Sequence, residues 1–318
     1  MTFDEILSKY RDESSNKAAL GTSFEHLMQR FMQTYPKYLD KFSDVWRWSE
    51  FPYKNQISNA DIGIDLVAKT HSGEFWAVQC KCFQEDTRIS KSDVDSFLAT
   101  SGRFFYVDEV KTNFSNRLWI STTNLWNENA SKTITNQTPP VSRIGLAELQ
   151  SVPIDWAELE NGNFGKKAIL NERQLREHQI EAISKTHEHF KNHDRGKLIM
   201  ACGTGKTFTS LKIAENEVGD GGIVLFLVPS IALLAQTLLE WSTFAEKSIN
   251  PICVCSDKTV SKADDDISNV DLALPATTDK ENLINQLKNA PKDSLTVIFS
   301  TYQSIDVVSK ARKSIFEK

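Results

Sequence analysis

Apolar positions in the first half of the chain change from a helical spacing to an alternating one. In residues 20–35 the large apolar side chains recur three and four positions apart, at Phe24, Leu27, Met28 and Phe31. This spacing predicts an amphipathic helix. Thr22 or Ser23 is the expected N-cap, because a side-chain oxygen there can accept a first-turn N–H.

Shorter apolar runs bounded by turn-prone residues follow this helix and predict β-strands. The predicted strands are residues 45–51, 62–69, 74–83 and 117–122. Further helices are expected to start near Ser90 or Ser92 and near Asn127, and residues 143–149 close the region. The order of helix, three strands, helix and strand predicts a small α/β layer.

The second half alternates between helical and strand-like patterns from its start. The predicted helices are residues 172–191, 206–217 and 231–244, and the predicted strands are residues 197–201, 222–228, 252–254 and 295–301. Such alternation favours a parallel, doubly wound sheet. Residues 257–291 interrupt it, and their acidic run is expected to form a solvated loop because grouped like charges repel.

A change of pattern between the halves predicts a domain boundary. Periodicity is lost over residues 151–165, where Pro153, Gly162 and Gly165 collect. The expected parts are a domain of residues 1–152, a linker of residues 153–170 and a domain of residues 171–318.

Composition changes this picture little, since 40% of the residues are hydrophobic and 25% are charged. That balance excludes a disordered, collagen-like or coiled-coil chain. No stretch approaches the roughly 18 apolar residues that cross a bilayer, and the N-terminus lacks the pattern of a signal peptide. We therefore expect a cytoplasmic bacterial protein with reduced cysteines. The formal net charge is −5, so binding to nucleic acid must be local or assisted by metal ions.

A glycine-rich segment, Met-Ala-Cys-Gly-Thr-Gly-Lys-Thr, lies between an apolar run and a helical pattern at residues 200–207. Small residues let backbone N–H groups converge on phosphates, the lysine ammonium offsets their charge, and the last hydroxyl can complete Mg²⁺ coordination. The residues expected to surround the phosphates of ATP are Gly203, Thr204, Gly205, Lys206 and Thr207. The general phosphate-loop pattern has Gly where Met200 stands. The alternative is a glycine-rich helix start with an incidental lysine.

The predicted helix before this loop offers a candidate for recognising the base. The amide of Gln179 can both donate to and accept from an adenine edge, and Arg176 lies one turn earlier. An exposed glutamine on a helix is common, so this hypothesis depends on the loop beside it.

These segments together resemble the first RecA-like domain of superfamily 2 helicases and translocases, in the branch that contains restriction enzymes. The matching pieces are Arg176 with Gln179, residues 200–207, residues 228–236 and residues 300–304. The resemblance implies that the segments around Pro229 and Thr301 contact the DNA backbone. The family's Asp-Glu motif does not appear before residue 318. We therefore expect an incomplete domain, the front of a longer polypeptide, that binds ATP without appreciable turnover.

Polar residues interrupt two neighbouring strand patterns in the first half. Asp65 begins one predicted strand, and Gln79 and Lys81 end the next. Antiparallel pairing can bring the aspartate beside the other two, and alternation puts Gln79 and Lys81 on one face. A carboxylate that binds Mg²⁺ and an ammonium that stabilises the pentavalent phosphate suit phosphodiester hydrolysis.

A single aspartate provides too few ligands for Mg²⁺, which prefers several oxygen donors. Glu25 on the first predicted helix could supply a second carboxylate, and the Gln79 side-chain oxygen and the Cys80 backbone carbonyl could supply the rest. Gly63 would permit close backbone approach. Each residue taken alone would more commonly be a surface acid or lysine on a half-buried strand.

This half resembles the PD-(D/E)xK nuclease superfamily, and within it the Mrr-like restriction endonucleases that write the last motif as Q-x-K. The resemblance assigns catalytic roles to Glu25, Asp65, Gln79 and Lys81. It also matches Asp61 to the weaker acid of the pattern, although a turn or capping role is an equal alternative.

An Mrr-like nuclease followed by a superfamily 2 motor domain resembles the single-chain Type ISP restriction-modification enzymes. That family implies a nuclease coupled to an ATP-driven motor on double-stranded DNA, with cleavage when two copies of the enzyme converge. Two alternatives stay open. One is part of a Type I or Type III-like restriction or DNA-repair system, and the other is a non-catalytic DNA-binding module that ATP switches.

Overall fold

The chain folds into two compact units in a computed structural model that describes residues 1–57, 63–170, 173–256 and 268–316. Unit 1 comprises Met1–Leu170 together with Val270–Pro275, and unit 2 comprises Asn171–Asn269 and Ala276–Lys318. Among the described residues, no helix is long and apolar enough to span a membrane. Both units mix helices with strands, and both contain parallel strand pairs. The predicted α/β class is therefore confirmed.

Unit 1 is built around one mixed sheet with helices on both faces. Its helices are α1 (Phe3–Glu13), α2 (Lys17–Met32), α3 (Lys54–Ile57), α4 (Lys91–Ser101), α5 (Glu128–Ile134), α6 (Leu146–Ser151) and α7 (Trp156–Glu160). Its strands are β1 (Phe42–Arg47), β2 (Leu66–Thr70), β3 (Phe75–Lys81), β4 (Phe104–Val107), β5 (Val110–Ser121) and β6 (Val141–Ile144). The strand order is β1-β2-β3-β5-β4, with β6 also paired to β5.

The N-terminal region corrects the predicted helix start. Helix α2 begins at Lys17, and its N-cap is Asn16, whose side chain accepts a hydrogen bond from the Ala19 N–H at 2.9 Å. The predicted caps Thr22 and Ser23 lie inside the helix, where the Thr22 hydroxyl donates to the Ala18 carbonyl. Asparagine caps as well as threonine does, so the earlier cap lengthens the helix beyond its apolar stripe. Helix α1, which the pattern did not predict, begins with a capping box formed by Thr2 and Glu5.

The sheet corrects two strand predictions. The strand predicted at residues 45–51 runs instead from Phe42 to Arg47, and a 3₁₀ turn follows at Trp48–Glu50. Strand β5 starts at Val110, seven positions before the predicted start, and forms a hairpin with β4. This hairpin escaped the pattern because its residues are mostly exposed, which removes the apolar alternation that marks a half-buried strand.

The core of unit 1 is rich in aromatic side chains on both faces of the sheet. On one face, Phe31 of α2 stacks on Trp156 with 5.5 Å between ring centroids, and both are almost fully buried. On the other, Phe97 of α4 packs edge-on against Trp119 of β5 at 6.1 Å. Full burial of one such side chain contributes about 1.5–3 kcal/mol. The two faces hold α2 and α4 against the central strand pair β3 and β5.

Unit 2 contains a smaller parallel sheet with the order β7-β9-β8. Its strands are β7 (Ile223–Val228), β8 (Ile249–Val254) and β9 (Leu295–Thr301). Its helices are α8 (Glu177–Phe190), α9 (Lys206–Glu217), α10 (Ile231–Phe244), α11 (Lys280–Lys288) and α12 (Ile305–Phe316). The parallel pairing of these strands, and the helices that alternate with them along the chain, match the prediction for this half.

Two predictions for unit 2 were wrong. The strand predicted at residues 197–201 is absent, and Leu198 and Ile199 are 48% and 81% exposed. A short apolar run becomes a strand only when a neighbour completes its hydrogen bonds, and none of the three strands of this sheet pairs with it. The acidic run of residues 262–271, predicted as a solvated loop, ends instead in a 3₁₀ turn at Asn269–Leu272, where Val270 is buried. Residues 257–267 lie outside the described chain, and α11 follows later in the same interruption.

A candidate nuclease centre and a candidate phosphate loop

Backbone pairing on both sides fixes the position of Asp65, which lies directly before β2. Its N–H donates to the Val78 carbonyl of β3 at 2.8 Å, and its carbonyl accepts from the Trp48 N–H at 2.7 Å. The β2–β3 pairing continues from Leu66 opposite Val78. This antiparallel register places the aspartate beside the end of β3, as the sequence pattern predicted.

Two N–H groups from β3 hold the Asp65 carboxylate. Its Oδ2 atom accepts a hydrogen bond from the Gln79 side-chain amide and a second, at 2.6 Å, from the Cys80 backbone N–H. Gln79 is only 1% exposed, and its Oε1 atom has no hydrogen-bond partner among the described residues. Buried polar atoms without a partner are rare in folded proteins. The orphaned oxygen therefore marks a place where an oxygen-seeking ligand fits.

The electrostatics of the Cys80 thiol show which charged groups surround it. Burial raises the pKa of this thiol well above its usual value, and the carboxylates of Asp65 and Glu25 raise the pKa further. The Lys81 ammonium acts in the opposite direction. Glu25 belongs to α2, between the buried side chains of Phe24 and Leu27. Two carboxylates and one ammonium thus lie near enough to the Cys80 thiol to shift its pKa, and the Gln79 amide bonds one of the carboxylates.

Contacts with β5 fix the end of β3, where Lys81 is half-buried. The Thr122 N–H donates to the Lys81 carbonyl at 3.1 Å. Two residues later, the Phe83 carbonyl accepts from the Thr122 hydroxyl at 2.6 Å and from the Arg11 guanidinium at 2.9 Å. The sequence did not predict that Thr122 and Arg11 support this end of the strand. The only signal for Thr122 was its position as a polar residue at the end of an apolar run, and the only signal for Arg11 was a basic residue near the end of α1.

Glycine is required at Gly63 for two reasons. Its φ of +75° lies in the left-handed region, and a Cβ atom there would come within 2.7 Å of the Ser96 backbone in α4. The predicted close backbone approach at this position is confirmed. Asp61, the weaker acid of the predicted pattern, lies outside the described residues.

A second cluster, also missed from the sequence, supports the Asp65 backbone. Arg47 forms an ion pair with Glu50 across the 3₁₀ turn, and its guanidinium contacts the His26 ring of α2. Hydrogen bonds from Arg47 lower the pKa of Glu50, and burial together with the Arg47 charge lowers the pKa of His26. The turn closed by this pair contains Trp48, whose N–H holds the Asp65 carbonyl.

The described residues contain no group of three or more His, Cys, Asp or Glu side chains placed to hold a metal. A metal at the end of β3 would therefore depend on carboxylates combined with neutral oxygens. Asp65 and Glu25 are the carboxylates, and the Gln79 side-chain oxygen and the Cys80 carbonyl are the neutral donors. Such an oxygen-only set suits Mg²⁺ rather than a soft metal.

The predicted phosphate loop opens α9 in unit 2. Gly203 and Gly205 have φ values of +76° and +81°, and Gly205 is the N-cap of α9. The Thr204 hydroxyl donates to the Ala201 carbonyl at 2.7 Å, and the Lys206 ammonium donates to the same carbonyl at 3.1 Å. The loop thus exposes the N–H groups of the first helical turn, including that of Thr207, a geometry that favours anions.

Gln179 is bonded to the loop at both ends of its amide. Its Oε1 atom accepts from the Arg176 N–H at 2.9 Å, and its Nε2 atom donates to the carbonyls of Thr204 and Gly205 at 3.3 Å. A Cβ atom at Gly205 would lie 2.6 Å from this nitrogen, so glycine is required there. In this geometry Gln179 ties α8 to the loop, and recognition of adenine by Gln179 and Arg176 stays a prediction.

Comparisons with known proteins agree with the division into two units. Residues 33–166 match the family described as "Restriction endonuclease", and residues 172–317 match the family described as "Type III restriction enzyme, res subunit". The two matches fall on either side of residue 170, where the chain passes from unit 1 to unit 2.

Its similarity to individual proteins points to the Type ISP group. The structure of the ATP-dependent Type ISP restriction-modification enzyme LlaBIII bound to DNA is 33% identical, with a TM-score of 0.79, over 99% of this chain and 19% of that chain. A nuclease-deletion mutant of the Type ISP enzyme LlaGI with a DNA substrate mimic is 43% identical over 45% of this chain and 14% of that chain, with a TM-score of 0.38. The predicted resemblance to Type ISP enzymes is confirmed.

A curated relative lies outside that group. A probable helicase of African swine fever virus is 34% identical over 127 residues, which are 40% of this chain and 14% of the viral protein. The chain thus spans 14% of this relative and 19% of the LlaBIII chain.

Proposed function

We propose that this chain supplies the Mg²⁺-dependent nuclease and the ATP-binding part of a restriction enzyme that moves along double-stranded DNA and cleaves foreign DNA in bacteria. The observation that carries the proposal is the cluster at the end of β3, within a restriction endonuclease domain. The LlaBIII and LlaGI structures hold DNA or a DNA mimic, which supports DNA as the partner of this chain. Cleavage by two converging copies belongs to the same proposal.

The residues at the end of β3 fit a magnesium ion. Gln79 presents a buried oxygen without a hydrogen-bond partner in the part of the chain that the structure describes, and the Asp65 carboxylate beside it is oriented by two N–H donors. Asp65, Glu25, Gln79 and the Cys80 carbonyl would hold the ion. When bound, Mg²⁺ lowers the pKa of a water molecule and offsets phosphate charge.

The protein groups themselves have distinct roles in this proposal. The Gln79 and Cys80 N–H groups hold the Asp65 carboxylate in a fixed orientation through two hydrogen bonds to its Oδ2 atom. Lys81, half-buried at the strand end, stabilises negative charge on the scissile phosphate. We assign Asp65 and Lys81 as the residues on which cleavage depends most.

In unit 2 we propose that ATP binds at the start of α9. Backbone N–H groups of Gly203 to Thr207 face the phosphates, the Lys206 ammonium exchanges its present carbonyl partners for phosphate oxygens, and Thr207 contributes its hydroxyl to Mg²⁺. The match to a restriction-enzyme motor family supports this assignment.

The direct test is nicking of supercoiled plasmid by this chain with Mg²⁺, with and without ATP. We expect Asp65→Ala and Lys81→Ala to abolish nicking. The matched controls Asp86→Ala and Lys166→Ala remove the same charges at exposed positions of unit 1 and should cleave normally. Equal nicking by parent and Asp65→Ala would exclude the proposed centre, and cleavage without added divalent metal in the presence of a chelator would exclude its Mg²⁺ dependence.

A further inference from the structure

A short segment from the second half of the sequence is part of the nuclease unit. Val270–Pro275 packs with Met1–Leu170, whereas Asn269 before it and Ala276 after it belong to unit 2. The chain therefore crosses between the units three times rather than once. We call Val270–Pro275 the anchor segment.

An ion pair fixes the start of the anchor segment. Asp271 receives two hydrogen bonds from the Arg143 guanidinium of β6, one from Nε and one from Nη2 at 3.1 Å. The same guanidinium lies over the Trp126 ring, 5.1 Å from its centroid. The paired side chains are only 20% and 23% exposed. A bidentate contact in such a partly buried place is directional as well as attractive.

Two buried residues from the turn after α2 bind the middle of the anchor segment. The Lys37 ammonium, with a side chain 2% exposed, contacts the Glu148 carboxylate at 2.7 Å and donates to the Leu272 carbonyl at 3.2 Å. The Tyr38 hydroxyl donates to the Ala273 carbonyl. A buried ammonium is tolerated only when its hydrogen bonds are satisfied. Without the segment, Lys37 and Tyr38 would each lose a partner.

Apolar side chains of the anchor segment complete the nuclease core. Val270 belongs to the same cluster as Val141, Trp119 and Ala130, and Leu272, Ala273 and Leu274 are at most 2% exposed. Ala273 has a φ of +59°, a left-handed conformation that alanine rarely adopts and that surrounding contacts must maintain. The segment is therefore packed as core rather than laid over a surface.

The chain continues directly from the anchor segment into the parallel sheet of unit 2. Ala276, directly after it, bridges Cys253 near the end of β8, and the Thr277 N–H donates to the Cys253 carbonyl at 3.0 Å. Ligands of open parallel sheets bind at the carboxyl ends of the strands. The anchor segment thus ends where the chain reaches the carboxyl end of β8.

We propose that the nuclease unit requires Val270–Pro275 to complete its fold, and that Lys37, Tyr38, Arg143 and Glu148 form the site that binds this segment. Residues 1–170 without the segment are therefore expected to be less stable than unit 1 of the whole chain. This inference concerns the completeness of unit 1 and stands independently of whether the nuclease centre cleaves DNA.

Hydrogen exchange of the whole chain, read by mass spectrometry, tests the anchor. We expect backbone amides of residues 270–276 to be protected in the parent, and Asp271→Arg or Arg143→Asp to speed their exchange at least about tenfold. The charge-reversed double variant should recover a large part of that protection, as expected for residues in direct contact. Exchange near residues 35–38 and in β6 should rise with the loss of docking.

A milder pair of variants covers the case in which charge reversal prevents folding. Tyr38→Phe removes only the hydroxyl that binds Ala273, and Tyr10→Phe removes a hydroxyl elsewhere in unit 1 as a control. We expect faster exchange of residues 272–276 in the first variant only. Exchange of these amides at the rate of an unstructured peptide in the parent, or no change in any of the docking variants, would overturn the anchor.

Discussion

The nuclease centre and the phosphate loop differ in what holds their functional groups. At the end of β3, the Asp65 carboxylate is already bonded to the Gln79 amide and the Cys80 N–H within a paired sheet. In the phosphate loop, the Lys206 ammonium bonds to carbonyls of its own loop, and the preceding residues 197–201 have no strand partner. The comparison teaches that a paired sheet can orient a carboxylate before any ligand binds, whereas the start of a helix leaves its lysine bonded to carbonyls of its own loop.

The sharpest contrast within the nuclease centre is between Asp65 and Lys81. We expect Asp65→Asn to lower both Mg²⁺ binding and plasmid nicking, the latter by about a thousandfold. Lys81→Met should reduce nicking to a similar extent while Mg²⁺ binding persists, because the ammonium acts on phosphate rather than on the metal. Calorimetric Mg²⁺ titration beside a nicking assay separates the two. Loss of Mg²⁺ binding in both variants would contradict the division of roles.

The phosphate loop should respond separately. We expect Lys206→Ala to weaken binding of a fluorescent ATP analogue by about a hundredfold, since a hydrogen bond to a charged group contributes roughly 1.5–3 kcal/mol. Nicking without ATP should be unchanged. Lys197→Ala, which removes an exposed lysine from the same region, is the matched control. If both variants bind the analogue as the parent does, the loop is not the ATP site.

The proposed metal site can be tested by substituting Gln79. We expect Gln79→Leu to weaken Mg²⁺ binding by about tenfold to a hundredfold, because the residue both orients Asp65 and offers an oxygen. Asn116→Leu is a matched control, since Asn116 is a fully buried amide of the same sheet whose polar atoms have no hydrogen-bond partner among the residues described. That control should keep Mg²⁺ binding and raise the melting temperature. Equal Mg²⁺ affinity in both variants would remove Gln79 from the site.

The smallest effect concerns the turn that supports Asp65. The hydrogen bond from Arg47 lowers the pKa of Glu50 below its ordinary value of 4.5. A lowered folded-state pKa stabilises the protein above the unfolded-state pKa, and this stability is lost as the pH falls through the folded-state value. We expect Glu50→Gln to lower stability at pH 7 by less than about 1 kcal/mol, because the pair is partly exposed. Thermal melts should show the difference at pH 7 and its disappearance at low pH. A difference that grows on acidification would contradict this assignment.

Local pattern was sufficient to identify several parts of both candidate sites. The alternation over residues 74–83 predicted β3, and the turn before it predicted the hairpin that puts Asp65 beside Gln79. The Gly-Lys-Thr run predicted the start of α9. These features depend on contacts between residues close in the sequence, so side-chain periodicity and turn chemistry report them directly.

Other features required partners far apart in the chain. The sequence gives no sign that the Cys80 N–H holds the Asp65 carboxylate, that Arg47 and Glu50 secure the Trp48 turn, or that residues 197–201 lack a strand partner. The clearest example is Val270–Pro275. In the sequence this segment belongs to the interruption of the second-half pattern, but in the structure it packs with unit 1. The sequence by itself determined β2, β3, the turn between them and the glycine-rich start of α9. Only the tertiary structure decided which distant segments pack together, because burial and long-range hydrogen bonds depend on the partners that the folded chain brings into contact.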